Sequence, residues 1–147
     1  MEEIIKDLTT VETGLIAHGC NCQGAFGSGI AGAIRKKWPN IFVGFLNHGI
    51  GKDLLGTIDT IPVDNDLAVI NCYTQEFYGP GDKKYADLEA VANCVFQAID
   101  VAQRLDRDLY IAKIGCGLGG LDWDTEVKPL YEKIFAGVDV NVYVCDL

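Results

Sequence analysis

Gly14-Leu15-Ile16-Ala17-His18-Gly19-Cys20-Asn21-Cys22-Gln23-Gly24-Ala25-Phe26-Gly27-Ser28-Gly29-Ile30-Ala31-Gly32 is the stretch that decides the fold. Residues 14–19 form a nearly continuous apolar run closed by glycine, which is how a central strand buried on both faces reads. The run opens into a glycine loop, and Ser28 or Gly29 can cap the helix GIAGAIRKKW that follows. Pro39 interrupts that helix, and a second helical piece over 39–48 stops at Gly49. A buried strand feeding a glycine loop and then a helix is a unit of an α/β sheet.

The flanking segments extend the same alternation. Residues 2–6 predict a first strand, and 57–63 and 67–73 are β-branched-rich runs around Asp64-Asn65 that predict an antiparallel hairpin. From Tyr85 to Leu105, Leu88, Val91, Ala92, Val95, Ile99, Ala102 and Leu105 recur at steps of three and four, so this helix must lay one face on a sheet. Residues 108–114 predict another buried strand leading directly into a second glycine loop, GCGLGG; a helix over 124–135 and a last strand over 138–145 complete the chain. The expected architecture is a mixed sheet with helices on both faces. Ligands collect at the carboxyl ends of such strands, so both loops should line one cleft.

Composition restricts the ligand classes. The chain has 147 residues, 49% of them hydrophobic, and 12 Lys+Arg against 21 Asp+Glu give a net charge of −9. This suffices for one domain with a substantial core, and excludes disorder over nearly its whole length. No apolar stretch approaches the roughly 20 residues of a membrane helix, and the acidic start MEEIIKDL has no basic, apolar-cored leader, so the expected location is the cytoplasm. A charge of −9 repels phosphate backbones and anionic membranes, so neither nucleic acid nor membrane is expected as a partner. The six cysteines are scattered through apolar runs, which fits a reducing compartment, and Cys20-x-Cys22 lacks the second pair a zinc site needs. No metal and no cofactor is expected.

Gly27-Ser28-Gly29-Ile30-Ala31-Gly32 matches G-x-G-x-x-G, but residues 20–26 separate it from the strand and no strand ending in Asp or Glu follows about 20 residues later, so the dinucleotide fingerprint is incomplete. What remains is general. Glycines let backbone N–H groups approach an anion, and the following helix N-terminus adds a favourable dipole. Two uncharged glycine loops in one cleft suit a diphosphate and need no lysine, because successive backbone donors form an anion-binding concavity.

Taken together, these segments resemble the macro domains that bind ADP-ribose. Lys6-Asp7-Leu8 resembles the family's G-D-[IL] segment, and Ile16-Ala17-His18-Gly19-Cys20-Asn21 its step from hydrophobic strand to asparagine. Residues 24–31 are similar to the family's first ligand loop, Asn71-Cys72-Tyr73-Thr74-Gln75 to its strand ending in Y-T-Q, and residues 114–123 to its diphosphate loop. The resemblance covers essentially the whole chain and implies a single macro domain over 1–147, a three-layer α/β/α fold with a mixed, centrally parallel sheet. Within the family, H-x-C-N-C-x-G-x-x-G-x-G-I-A is most similar to the branch of ADP-ribose 1''-phosphate phosphatases and terminal ADP-ribose–glutamate hydrolases. The hydrolases use a lysine and an aspartate at positions that here hold Gln75 and Gly119. A neutral amide cannot replace an attacking lysine. The favoured function is therefore ADP-ribose 1''-phosphate phosphatase; a non-catalytic ADP-ribose reader and a de-ADP-ribosylating hydrolase are the alternatives. The partners implied are ADP-ribose, its 1''-phosphate, or an ADP-ribosylated protein.

The candidate catalytic residues are His18, Asn21 and Asp122. His18, at the end of a buried strand, is expected to protonate the leaving hydroxyl as imidazolium; its other reading is a core histidine. Asn21 is implied at the distal ribose, or else forms an Asx turn. Asp122 is a spare general base, or else starts the next turn, with Asp124 capping the helix. The resemblance places Asp7, with Leu8, at the adenine amino group. Phe77 or Tyr78 would stack on the ring, near Thr74. Gly27, Ser28, Gly29, Ile30 and Ala31 would hold the diphosphate from one side. Gly115, Cys116, Gly117, Leu118, Gly119 and Gly120 would hold it from the other, with Gln23 and Leu121 as further ligand contacts.

Overall fold

A computed structural model describes residues 1–27, 29–47, 49–79 and 83–146. Ser28, expected in the first ligand loop, and His48, expected to end the second helical piece, lie outside the described residues. Six strands form one sheet: β1 (Glu2–Ile5), β2 (Gly14–Asn21), β3 (Ile58–Pro62), β4 (Leu67–Gln75), β5 (Leu109–Ala112) and β6 (Val142–Asp146). Their spatial order is β1-β6-β5-β2-β4-β3, every pairing parallel except β3 with β4. β2 and β4 are buried along nearly their whole length, as their unbroken apolar runs require. Asp64 Oδ1 accepts from the amides of Asp66 and Leu67, at 2.8 and 2.9 Å, and so turns the chain from β3 into β4.

Helices α1 (Gly29–Lys37) and α2 (Pro39–Asn47) pack together, α1 on β2 and α2 on β3; α3 (Leu88–Leu105) packs on β4 and against α4 (Lys128–Phe135). This is the expected α/β/α sandwich. The α3 stripe of Val91, Cys94, Val95, Ala98, Ile99 and Ala102 is buried, each large aliphatic side chain contributing about 1.5–3 kcal/mol on leaving water.

Strand ends shift by one or two residues from the sequence reading, and three boundaries shift by more. α3 begins at Leu88 because the Asp87 carboxylate caps it, accepting from Ala90 N at 3.0 Å, while the amides of Tyr85 and Ala86 both donate to Gly119 O and stay extended. The segment 123–127 forms a π turn before α4, with the Glu126 and Val127 amides both donating to Asp122 O. Pro129 has no N–H with which to continue an α ladder back through Thr125. The last strand starts at Val142, where β5 begins to pair with it, and β1 joins at Tyr143.

Gly14 enters β2 at φ +110°, where an added Cβ would lie 2.7 Å from Asp108 O. Gly14→Ala is expected to lower the unfolding free energy by about 2 kcal/mol or more, since strain and backbone collision act together. Chemical denaturation against the wild type measures this, and an unchanged midpoint would contradict it.

Candidate functional site

The carboxyl ends of β2, β4 and β5 converge on a cleft of about 660 Å³. Its floor includes Gly19, Cys20 and Asn21 from β2, Thr74 and Gln75 from β4, and the chain leaving β5. The convergence depends on Gly19, where a Cβ would stand 2.9 Å from Ile114 Cγ2 and 3.1 Å from Thr74 Oγ1. One wall is the first glycine loop with the start of α1, lined by Ala25, Gly27, Gly29, Ile30 and Ala31; the opposite wall is the second loop, lined by Gly115, Gly117, Leu118 and Gly119. Tyr78 and Gly79 complete the rim.

Asn21 builds the first loop. Its carboxamide oxygen accepts from Gln23 N at 2.9 Å and Ala25 N at 3.2 Å, and its amide donates to Ala25 O at 2.8 Å. The Asx role is therefore in place, and Asn21 also lines the cleft. The second loop closes through Cys116 N to Lys113 O, Gly120 N to Gly117 O and Leu121 N to Gly115 O. The amides of residues 117–119 take no part in those closures. Gly119 is boxed in: an added Cβ would lie 2.6 Å from Gly115 O and 3.0 Å from Ala86 Cβ. Gly117, by contrast, has no atom within 4 Å of that position.

Among the described lining residues there is no carboxylate and no imidazole, although the chain carries a net charge of −9. The one charged residue there is Lys113, whose ammonium turns outward to Asp146 at 3.0 Å and Glu3 at 3.8 Å and lies over the Trp123 ring. The cleft offers an anion backbone donors and small apolar surfaces.

Several expected site residues lie elsewhere. His18 is 1% exposed and is absent from the lining. Its Nε2 lies 2.6 Å from Asn71 Oδ1 and its ring packs on Phe26. An acceptor at that distance fixes the proton on Nε2, and neither His18 Nδ1 nor Asn71 Nδ2 has a partner among the described residues. Burial, partly offset by the Asn71 bond, pulls the imidazole down to about 4. The expected imidazolium is thus corrected to a neutral core histidine at pH 7.

Asp122 is corrected as well. Its carboxylate accepts from Thr125 N and Oγ1 at 2.8 and 2.6 Å, capping the π turn, and these bonds lower its pKa, so it lies off the cleft as a weak base. Asp7 likewise caps the short turn Leu8–Thr10 through Thr9 N and Oγ1, and Leu8 is in the core. Neither is among the described residues that line the cleft. Gln23, Phe77, Cys116, Gly120 and Leu121 also fall outside it, whereas Thr74 and Tyr78 are within. Burial raises the Cys20, Cys22 and Cys116 thiols, Cys22 and Cys116 to about 11, so none is an activated nucleophile. The lining also includes Gly19, Cys20, Gln75, Gly79, Ala112 and Lys113, which the sequence did not single out as ligand contacts. Their signal was adjacency, since all but Gly79 abut a glycine loop or end a buried strand, and Gly79 follows Tyr78.

Fold and cleft define a class. The model of the macro domain family matches residues 17–129, and the chain belongs to that family. A relative from Candida albicans named ADP-ribose 1''-phosphate phosphatase is 30% identical, the alignment covering 88% of this chain and 86% of the relative. One from Mycobacterium tuberculosis named DNA ADP-ribosyl glycohydrolase is also 30% identical over 94% of this chain, but this chain spans only 40% of its length. Among solved structures, the macrodomain of Mycobacterium tuberculosis DarG superposes with a TM-score of 0.82 at 21% identity, covering 99% of this chain and 97% of its own.

The buried imidazole has a consequence in solution. It stays neutral in the folded chain down to about 4, whereas in the unfolded chain it takes up a proton near 6.5. Its contribution to stability is therefore intact above 6.5 and is lost as the pH falls from 6.5 toward 4, by up to about 3 kcal/mol. Denaturant titrations across that window should show a steeper loss for the wild type than for His18→Leu. Parallel pH profiles would refute the burial-driven shift.

Proposed function

We propose that this chain binds ADP-ribose in the cleft and acts as an ADP-ribose 1''-phosphate phosphatase. The observation that carries the reading is the pairing of two glycine-loop walls across one cleft with no carboxylate among its described lining residues. A diphosphate lies between the loops, its oxygens facing backbone N–H groups in place of cations. The base lies toward Tyr78 and the distal ribose toward Gly19 and Asn21. Membership in the macro domain family and the fungal relative named for this activity support the same ligand and reaction. The net charge of −9 weighs against a substrate carried on nucleic acid.

Hydrolysis breaks the bond between phosphorus and the 1'' oxygen; water supplies hydroxide to phosphorus, and the leaving oxygen takes a proton. The loop amides stabilise the equatorial oxygens of the transition state. With the His18 imidazole neutral and outside the lining, the leaving oxygen draws its proton from solvent, so turnover is slow. The described lining residues offer no carboxylate for magnesium, and chelation should leave the rate unchanged.

Incubation with ADP-ribose 1''-phosphate is expected to release inorganic phosphate, and incubation with glutamate-linked ADP-ribose to release none. Gly117→Leu, which fills the cleft without a collision, should weaken ADP-ribose binding by at least about tenfold and leave Tm within about 2 °C. Binding without phosphate release would identify a reader module. Release from the glutamate ester would identify a hydrolase, and failure of ADP-ribose to bind at millimolar concentration would overturn the reading.

A further inference from the structure

Tyr131 lies in α4, is fully buried, and is absent from the cleft lining, yet its hydroxyl is bonded to the chain that forms the cleft wall. It donates to Ala112 O at 2.8 Å and accepts from Ile114 N at 3.1 Å. These two backbone groups flank the point where β5 becomes the second glycine loop. The ladder to β2 has already ended at Ile111, and that to β6 ends at Ala112. Beyond them a buried amide needs another partner, and Ile114 is only 2% exposed. Tyr131 supplies that partner, and the next residue, Gly115, turns at φ +81° into the loop.

The ring itself is held in place. Trp123 meets it edge-on at 5.3 Å and 82°, and Phe135 at 5.3 Å and 62°. Trp123 is fixed in turn, because its indole N–H donates to Glu3 Oε1 at 3.1 Å and the Lys113 ammonium lies 4.9 Å over its ring. A chain of contacts, exposed at Glu3 and buried at Tyr131, thus runs from the sheet edge through Trp123 and Tyr131 to the residues that open the loop.

We infer that Tyr131 is a positioning residue that sets the second glycine loop at its distance from the first and so fixes the span of ligand the cleft accepts. The inference rests on the reading of the cleft as an ADP-ribose site. A ligand bridging both loops depends on that distance, whereas one held mainly by a single phosphate does not. Removing the hydroxyl leaves the Ile114 amide buried without a partner, and the loop shifts to recover one.

The test is Tyr131→Phe, with calorimetry against ADP-ribose and AMP and amide exchange read over residues 114–119. ADP-ribose affinity should fall about five- to tenfold, the scale of one buried hydrogen bond, while AMP affinity changes by less than about twofold and exchange at 114–119 quickens. A general loss of stability would move both ligands alike. ADP-ribose affinity within about twofold of wild type, or an equal loss for both ligands, would overturn the inference. If the wild type binds no ADP-ribose, the functional reading fails by itself; amide exchange still decides, faster exchange confirming the positioning and unchanged exchange refuting it. Should Tyr131→Phe not fold, Trp123→Leu, which keeps the hydroxyl and loosens the ring, is expected to shift the same ligand ratio in the same direction, and an unshifted ratio would overturn the inference.

Discussion

The cleft exists because three parallel strand ends approach closely around a residue with no side chain. At Gly19 the Ile114 side chain and the Thr74 hydroxyl stand where a Cβ would go, so β2, β4 and β5 close on one another and the loops leaving them face across a short gap. Parallel pairing makes this possible, since it carries all three carboxyl ends to the same edge of the sheet. The antiparallel hairpin of β3 and β4 extends the sheet away from the cleft without disturbing that edge.

The electrostatics follow from the same arrangement. An acidic chain can receive an anion where the described lining residues carry no carboxylate and backbone dipoles take over. Several aspartates are engaged in local caps: Asp7 on Thr9, Asp87 on Ala90, and Asp122, next to the second loop, on Thr125. Their negative charge is absorbed at helix and turn starts, where it is favourable.

Much of this architecture was legible in the sequence, for physical reasons. An apolar run ended by glycine leaves few choices other than a buried strand, and 3.6-residue spacing over α3 leaves few other than a helix on a sheet. Side-chain direction was harder. His18 stands one residue before the floor, and sequence position does not separate a strand-end histidine aimed into a cleft from one packed beneath it. Asp7 and Asp122 did carry a readable signal, since Asp followed by Thr two or three residues later is a capping pattern. Tyr131 carried none, because it meets Ala112 and Ile114 only through the tertiary fold.

Gly119 has a consequence for what the second loop can carry. The atoms of Gly115 and Ala86 fill the space a side chain would need there, so a carboxylate cannot enter by one codon change without the loop being respaced. A side chain at position 119 would therefore reach beyond its own residue: the turn at Gly115 and the methyl of Ala86 would have to move with it, so one substitution would be felt across the whole second wall of the cleft.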